Sequence, residues 1–360
     1  MRGAPPGHAL EIALVLVGVL AVQFMAVVVL GAWIQSARTR LNRMRIECHR
    51  RWEEALIAFL YQEGPLEPFR PRGADQRRML VAFLHRALRT LGGTEGDRIR
   101  SIYVRLGLGR RIRERLHSSR APLRALAAVE VGTFNLEAHF GQLPALLSDP
   151  VPHVAHAAAR SLAQTGRLEF AEPVLRWVLG AEMFQLDRLL WILEGFGLEI
   201  LPWMEARLAA EEAPPPQECT IYALLAASLR NVRDPARLLS ILAMGGPEAR
   251  IAAIKALGSV GDPSAYPAVL PYARHEDWVF RAQAAKALGI LGGAASIPEL
   301  LDLLRDPTFE VRRNAAEALA RMGPAGREAL AWVAQDRSAD PFARDLALER
   351  LQWTPGGSAA

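Results

Sequence analysis

The sequence predicts an all-α chain: an N-terminal transmembrane helix followed by an α-solenoid of stacked helical hairpins. Two observations carry this. Phe280-Arg281-Ala282-Gln283-Ala284-Ala285-Lys286-Ala287-Leu288 returns 31 positions later as Val311-Arg312-Arg313-Asn314-Ala315-Ala316-Glu317-Ala318-Leu319. A period of that length with paired alanines and a closing leucine marks hairpins that bury their faces only by stacking. Ile12 to Ile34 is a 23-residue run in which Gln23 is the only strongly polar side chain.

Taken in order, residues 1–11 are expected to be a short extracytoplasmic N-terminus. Residues 12–34, as a helix, would measure about 34 Å, enough to cross a hydrocarbon layer of about 30 Å. The run has no polar stripe, as a buried soluble helix would, and no A-x-A cleavage site follows it. Arg38, Arg40, Arg43, Arg45, Arg50 and Arg51 crowd its C-terminal flank, whereas Arg2 and His8 stand on the other side. The positive-inside rule then puts the N-terminus outside and the bulk of the chain in the cytoplasm, here at a bacterial inner membrane. Beyond the membrane Leu41, Met44, Cys48, Trp52, Leu56, Phe59 and Leu60 recur at helical steps, so the helix continues as an amphipathic rod to about Gln62.

Residues 35–117 read as a basic helical module. Between Gln35 and Arg124 there are 21 arginines against nine acidic residues, a net charge of +12. The loop Gly64–Gly73 precedes a helix from about Gln76 to Leu91 capped by Asp75, Thr94 with Asp97 has the form of a capping box, and a third helix carries Arg110, Arg111, Arg113 and Arg115. Anionic lipid headgroups suit such a membrane-proximal surface, at about 1 kcal/mol per basic residue. Nucleic acid does not, because base-stacking aromatics and a recognised binding fold are missing.

Residues 118–353 form the array and 354–360 a flexible tail. With the motif arginine as index, units start at Arg124, Ala155, Leu186, Tyr222, Arg250, Arg281, Arg312 and Arg344. One step is stretched by Glu211-Glu212-Ala213-Pro214-Pro215-Pro216. In each unit the first helix holds the small-residue pair. A turn and a second helix follow, with breaks such as Asp149-Pro150 and Asp306-Pro307. Residues 125–360 carry a net charge of −7, so the array is acidic where the module is basic.

These units resemble HEAT repeats in the short form named from phycobilisome lyase subunits, over roughly Arg120 to Trp353. The resemblance implies a ladder of turn aspartates and helix arginines, matched by Asp277, Arg281, Asp306 and Arg312, which makes these residues structural. It also implies a concave face lined by second helices, where Trp177, Trp203 and Trp332 fall, and these are candidates for partner contact. Membrane-anchored HEAT proteins of this look are associated with membrane glycosyltransferases that make surface polysaccharide. An integral membrane enzyme is therefore the partner the resemblance implies, with a lyase-like cofactor-attachment or ligand-holding factor as the alternative.

No catalytic chemistry is legible. GxSxG, Walker A, HExxH and GxGxxG contexts are missing. Deoxyhypusine hydroxylases hold two irons with several His-Glu pairs, and this sequence has only His275-Glu276. His153 and His156 lack a third ligand at compatible spacing, so neither metal nor cofactor is expected. Cys48 and Cys219 read as free, buried thiols. The expectation is a scaffold, not an enzyme.

Overall fold

The computed structural model describes residues 6–62, 64–180, 186–210, 214–232, 234–336 and 338–352, with backbone alone for 6–17, 19, 21–22, 37–38, 40–42 and 186–188. Every regular element among the described residues is helical. The chain divides into two compact units, residues 1–115 with 133–135, and residues 116–132 with 136–360.

The first unit opens with α1 (Pro6–Tyr61), a single rod of 56 residues without an internal glycine or proline break in its second half. Its C-terminal part has the expected stripe: Cys48, Trp52, Leu56 and Leu60 are buried. Trp52 donates its indole N–H to the Pro68 carbonyl at 3.2 Å and packs against Phe83, while His49 meets the Phe83 ring edge-on. The helices that supply the other half of this core are α2 (Ala74–Leu88), α3 (Gly93–Arg105) and the short α4 (Ile112–Leu116). Arg77 and Arg98 donate to the carbonyls of Leu108 and Leu60, so part of the arginine excess ties elements together. Tyr103 stacks on Phe134 at 3.9 Å and closes the unit.

Three local expectations change. The cap of α2 is Gly73 rather than Asp75, which pairs with Arg78. The Thr94–Asp97 capping box does not form: Asp97 binds Arg100 at 2.6 Å and Thr94 faces Glu95. Arg110 and Arg111 precede α4 in a turn, because Gly107 at φ +63° ends α3 early. The expected membrane span also lacks support here. Among the described residues no helix is long and apolar enough to cross a membrane; most side chains of 12–22 lie outside those described, and so does the tail 354–360.

In the second unit the first helices of the eight repeat units are α5 (Ala121–Thr133), α6 (Pro152–Gln164), α8 (Leu186–Glu194), α10 (Pro216–Leu229), α12 (Pro247–Val260), α14 (Trp278–Leu291), α16 (Phe309–Arg321) and α18 (Pro341–Gln352), the last without a second helix among the described residues. Between them run α7 (Ala171–Leu179), α9 (Ile200–Ala209), α11 (Ala236–Met244), α13 (Tyr266–Val269), α15 (Ile297–Leu303) and α17 (Pro324–Gln335). The first second-helix position is instead two 3-10 turns, Glu137–Gln142 and Pro144–Ser148. The small-residue pairs Ala127-Ala128, Ala158-Ala159, Ala253-Ile254, Ala284-Ala285 and Ala315-Ala316 are fully buried.

Close approach explains why these positions are small. A Cβ on Gly258 would fall 2.9 Å from the Ala287 backbone, and one on Gly289 would fall 2.7 Å from the Ala318 methyl. First helices of successive units thus pack directly on each other, while neighbouring second helices touch far less.

Candidate partner-binding surfaces

The frame of the array rests on arginine–aspartate rungs. Arg281 forks onto Asp306 at 2.6 and 3.1 Å and donates to the His275 and Glu276 carbonyls. Arg124 repeats the arrangement with Asp149 at 2.7 and 2.8 Å, donating to the Ser118 and Ser119 carbonyls. In both rungs the aspartate is 25 residues beyond the arginine and also accepts the backbone N–H two residues on, at Thr308 and Val151. One carboxylate therefore closes the turn just before one helix and clamps the arginine of the preceding unit. Burial alone would raise the Asp306 carboxyl, but hydrogen bonds from Arg281 and Thr308 outweigh it and hold it below the usual range. At the more open Asp149 the hydrogen bond from Arg124 dominates, in the same direction.

The expected ladder residues do not all meet. Asp277 caps its own helix through the Val279 N–H, and Arg312 donates to the carbonyls of Asp306 and Pro307 instead of to a carboxylate. The position 25 residues after Arg312 is Arg337, so no acid is there to receive it. Arg312 lies between two rings, 5.9 Å from the Phe309 centroid and 5.1 Å from Phe342.

That stacking belongs to a row the sequence reading missed. Trp278, Phe309 and Phe342 stand at the starts of α14, α16 and α18, 31 and 33 residues apart, and are 44, 50 and 65 % exposed. The repeat register could have found them, because each sits two or three residues before its index position. Helix N-termini in consecutive units project their side chains along one edge of the stack, and the row forms an aromatic and arginine ridge.

Of the three tryptophans expected to bind, Trp332 on α17 is 58 % exposed, while Trp177 and Trp203 are half-buried. Trp177 and His156 line a cleft of about 540 Å³; His156 lies 6.2 Å from the Trp177 ring and 5.6 Å from that of Trp191, which Arg160 covers at 5.3 Å. Burial, with a smaller push from the Arg160 charge, holds His156 below its ordinary value.

A second cavity, of about 500 Å³, opens over α12, α14 and α16 and is lined by Lys255, Gln283, Lys286, Asn314, Glu317 and Arg321 among others. Elsewhere, Arg207 gathers Glu172 at 2.6 Å and the buried Glu218 at 2.6 and 2.8 Å, locking α9 against α7 and α10. His275 is enclosed by Tyr272 and Phe280 and accepts the Asp277 N–H, a turn-forming role. Among the described residues no group of His, Cys, Asp and Glu is arranged to hold a metal ion. Cys48 and Cys219 are buried and free.

In the first unit Arg43, Arg45 and Arg50 are exposed, Arg51 is half-buried, and Arg50 pairs with Glu54 at 3.3 Å. The side chains of Arg38 and Arg40 lie outside the described residues.

The comparisons agree with the repeat reading. A family model described as HEAT repeats matches residues 235–320. No curated protein matches the chain significantly. Among solved structures, the CpcE–CpcF complex of phycocyanin lyase from Nostoc sp. is 21 % identical, over 68 % of this chain and 86 % of that one, with a TM-score of 0.29. Human deoxyhypusine hydroxylase is 20 % identical over 85 % and 97 % of the two chains, with a TM-score of 0.28. Kap121p bound to RanGTP is 12 % identical over 78 % of this chain and 37 % of that one, with a TM-score of 0.41.

Proposed function

We propose that this chain is a membrane-anchored HEAT-repeat adaptor that binds a protein partner. The observation that carries the reading is the ridge of Trp278, Phe309 and Phe342 with Arg312 between two of its rings. Large exposed aromatics and arginine are the side chains that dominate binding hot spots. A folded monomer gains nothing by leaving three in register along one edge.

The anchor rests on the apolar run 12–34 and its arginine flank. Phe24, Met25, Val27, Val28, Val29, Leu30 and Trp33 are all exposed along α1, and lipid would cover them. The N-terminus is outside and the array cytoplasmic, with Arg43, Arg45 and Arg50 against anionic headgroups. Confinement to the membrane plane raises the effective concentration of the array toward membrane partners, so modest affinities suffice. The partner class is an integral membrane enzyme, and a glycosyltransferase of surface polysaccharide is the specific candidate.

Affinity purification of the intact chain in mild detergent, with crosslinking and mass spectrometry, tests this. Crosslinks from the ridge to one membrane enzyme are expected. Crosslinks only within the chain or to scattered abundant proteins would overturn the adaptor reading.

A further inference from the structure

We infer that the groove over α12, α14 and α16 binds an acidic peptide segment of the partner in polyproline-II conformation, with carboxylates three residues apart. The inference deepens the adaptor reading and rests on it for the existence of a protein partner. Of the chain's 43 basic residues only two are lysines, Lys255 and Lys286, and both line this cavity. They hold the same place in successive units, five residues after Arg250 and Arg281. Both are exposed and neither makes an ion pair among the described residues. The next unit has Glu317 there, and Arg321 neutralises it at 2.5 Å. The groove is thus a local net positive site on an array whose balance is acidic.

The wall is polar in a second way. Asn314 is more than nine-tenths buried, and its amide N–H donates to the Ala282 carbonyl at 3.0 Å. Its Oδ1 is shut away from the groove, so Asn314 belongs to the packing between α14 and α16. Gln283, one unit earlier at the matching position, lines the same wall. Carboxylates for the lysines and a backbone N–H for the half-buried Gln283 amide describe an acidic peptide.

Geometry selects its conformation. Packed helices lie about 8–10 Å apart, so the two lysine stems are separated by about that distance. A polyproline-II chain returns to the same face every third residue, after about 9.3 Å. A β-strand repeats its face after about 6.8 Å and would miss the second lysine. An α-helix is about 10–12 Å across, too wide for a cavity of about 500 Å³. An ammonium on a flexible stem also follows a carboxylate without the fixed fork that a guanidinium imposes.

The test is fluorescence anisotropy of the full chain in detergent with labelled Asp-Pro-Pro-Asp-Pro-Pro-Asp, against a peptide of the same composition with its aspartates adjacent. Selective binding of the spaced peptide is expected, weakening about fivefold for each of Lys255→Gln and Lys286→Gln and falling with salt. Both residues are exposed, so the variants should keep the wild-type circular dichroism and melting temperature, which is checked alongside. Equal binding of the two peptides, or an unchanged affinity in the double variant, overturns the groove assignment. A native partner captured equally by the wild type and the double variant would sink the groove while sparing the adaptor. Lysine-dependent peptide binding without any captured partner would do the reverse.

Discussion

Gly289→Ala should destabilise the array, although alanine is the better helix former. The added methyl would sit 2.7 Å from the Ala318 methyl and 3.3 Å from its Cα. Carbon atoms in good contact stay about 3.5–4.0 Å apart, so α14 and α16 must separate by nearly 1 Å or distort. Overpacking of this kind costs about 1–3 kcal/mol. Replacing a mid-helix glycine returns about 0.5–1 kcal/mol, leaving a net loss of up to about 2.5 kcal/mol. Ala318→Gly alone should lose about 1.5–2 kcal/mol, from helix propensity and a buried methyl. The double variant moves the methyl across the interface. It should therefore recover most of the summed loss, a coupling of about 2 kcal/mol between touching residues. Thermal melts followed by circular dichroism at the helical band read this directly, since each kcal/mol shifts Tm by about 2–4 °C in a domain of this size. Gly289→Ala melting well above the wild type, or a double variant no better than the sum, would refute the close packing of successive first helices.

Asp306→Asn should lower stability by about 1–3 kcal/mol, because Arg281 loses its charged fork in a poorly exposed site. With its folded pKa depressed, the Asp306 contribution is complete above the unfolded value of about 3.8 and is lost as pH falls through the folded one; Asp306→Asn should flatten that part of an acid titration. His156 has the same sign for a different reason. The folded ring binds its proton less readily, so its contribution is complete above about pH 6.5 and declines below that value, and a change in tryptophan emission there should vanish in His156→Gln. The triple substitution Trp278→Ala, Phe309→Ala and Phe342→Ala should abolish partner capture while shifting Tm little; retained capture would remove the ridge from the interface. Arg43→Glu with Arg45→Glu should weaken sedimentation of the full chain with anionic vesicles about tenfold at low salt, and vesicles of neutral lipid should show no difference.

Much of the array was legible because its signal is periodic. The index residues Arg124 to Arg344 each fall in a first helix, since paired small residues and a closing leucine permit only helix-on-helix packing at that step. The stripe from Cys48 to Leu60 was legible for the same reason. Caps were not: Asp97 can serve either the Thr94 turn or Arg100, and the energies differ by less than sequence spacing can resolve. The reach of Arg281 to Asp306 rather than Asp277 depends on where the next unit's turn lands, which no local pattern encodes. Trp177 and Trp203 were selected by residue type, but exposure is a property of neighbours, and the half-buried pair shows it.

The sequence by itself determined the helical class, the repeat and its register, and the separation of a basic segment from an acidic array, because periodicity and charge are additive along the chain. Only the tertiary structure decided which helices pack directly on one another, which arginines find carboxylates, and that the two lysines share one groove. Those depend on distances between residues about 31 positions apart, set by how closely Gly258 and Gly289 let successive helices approach.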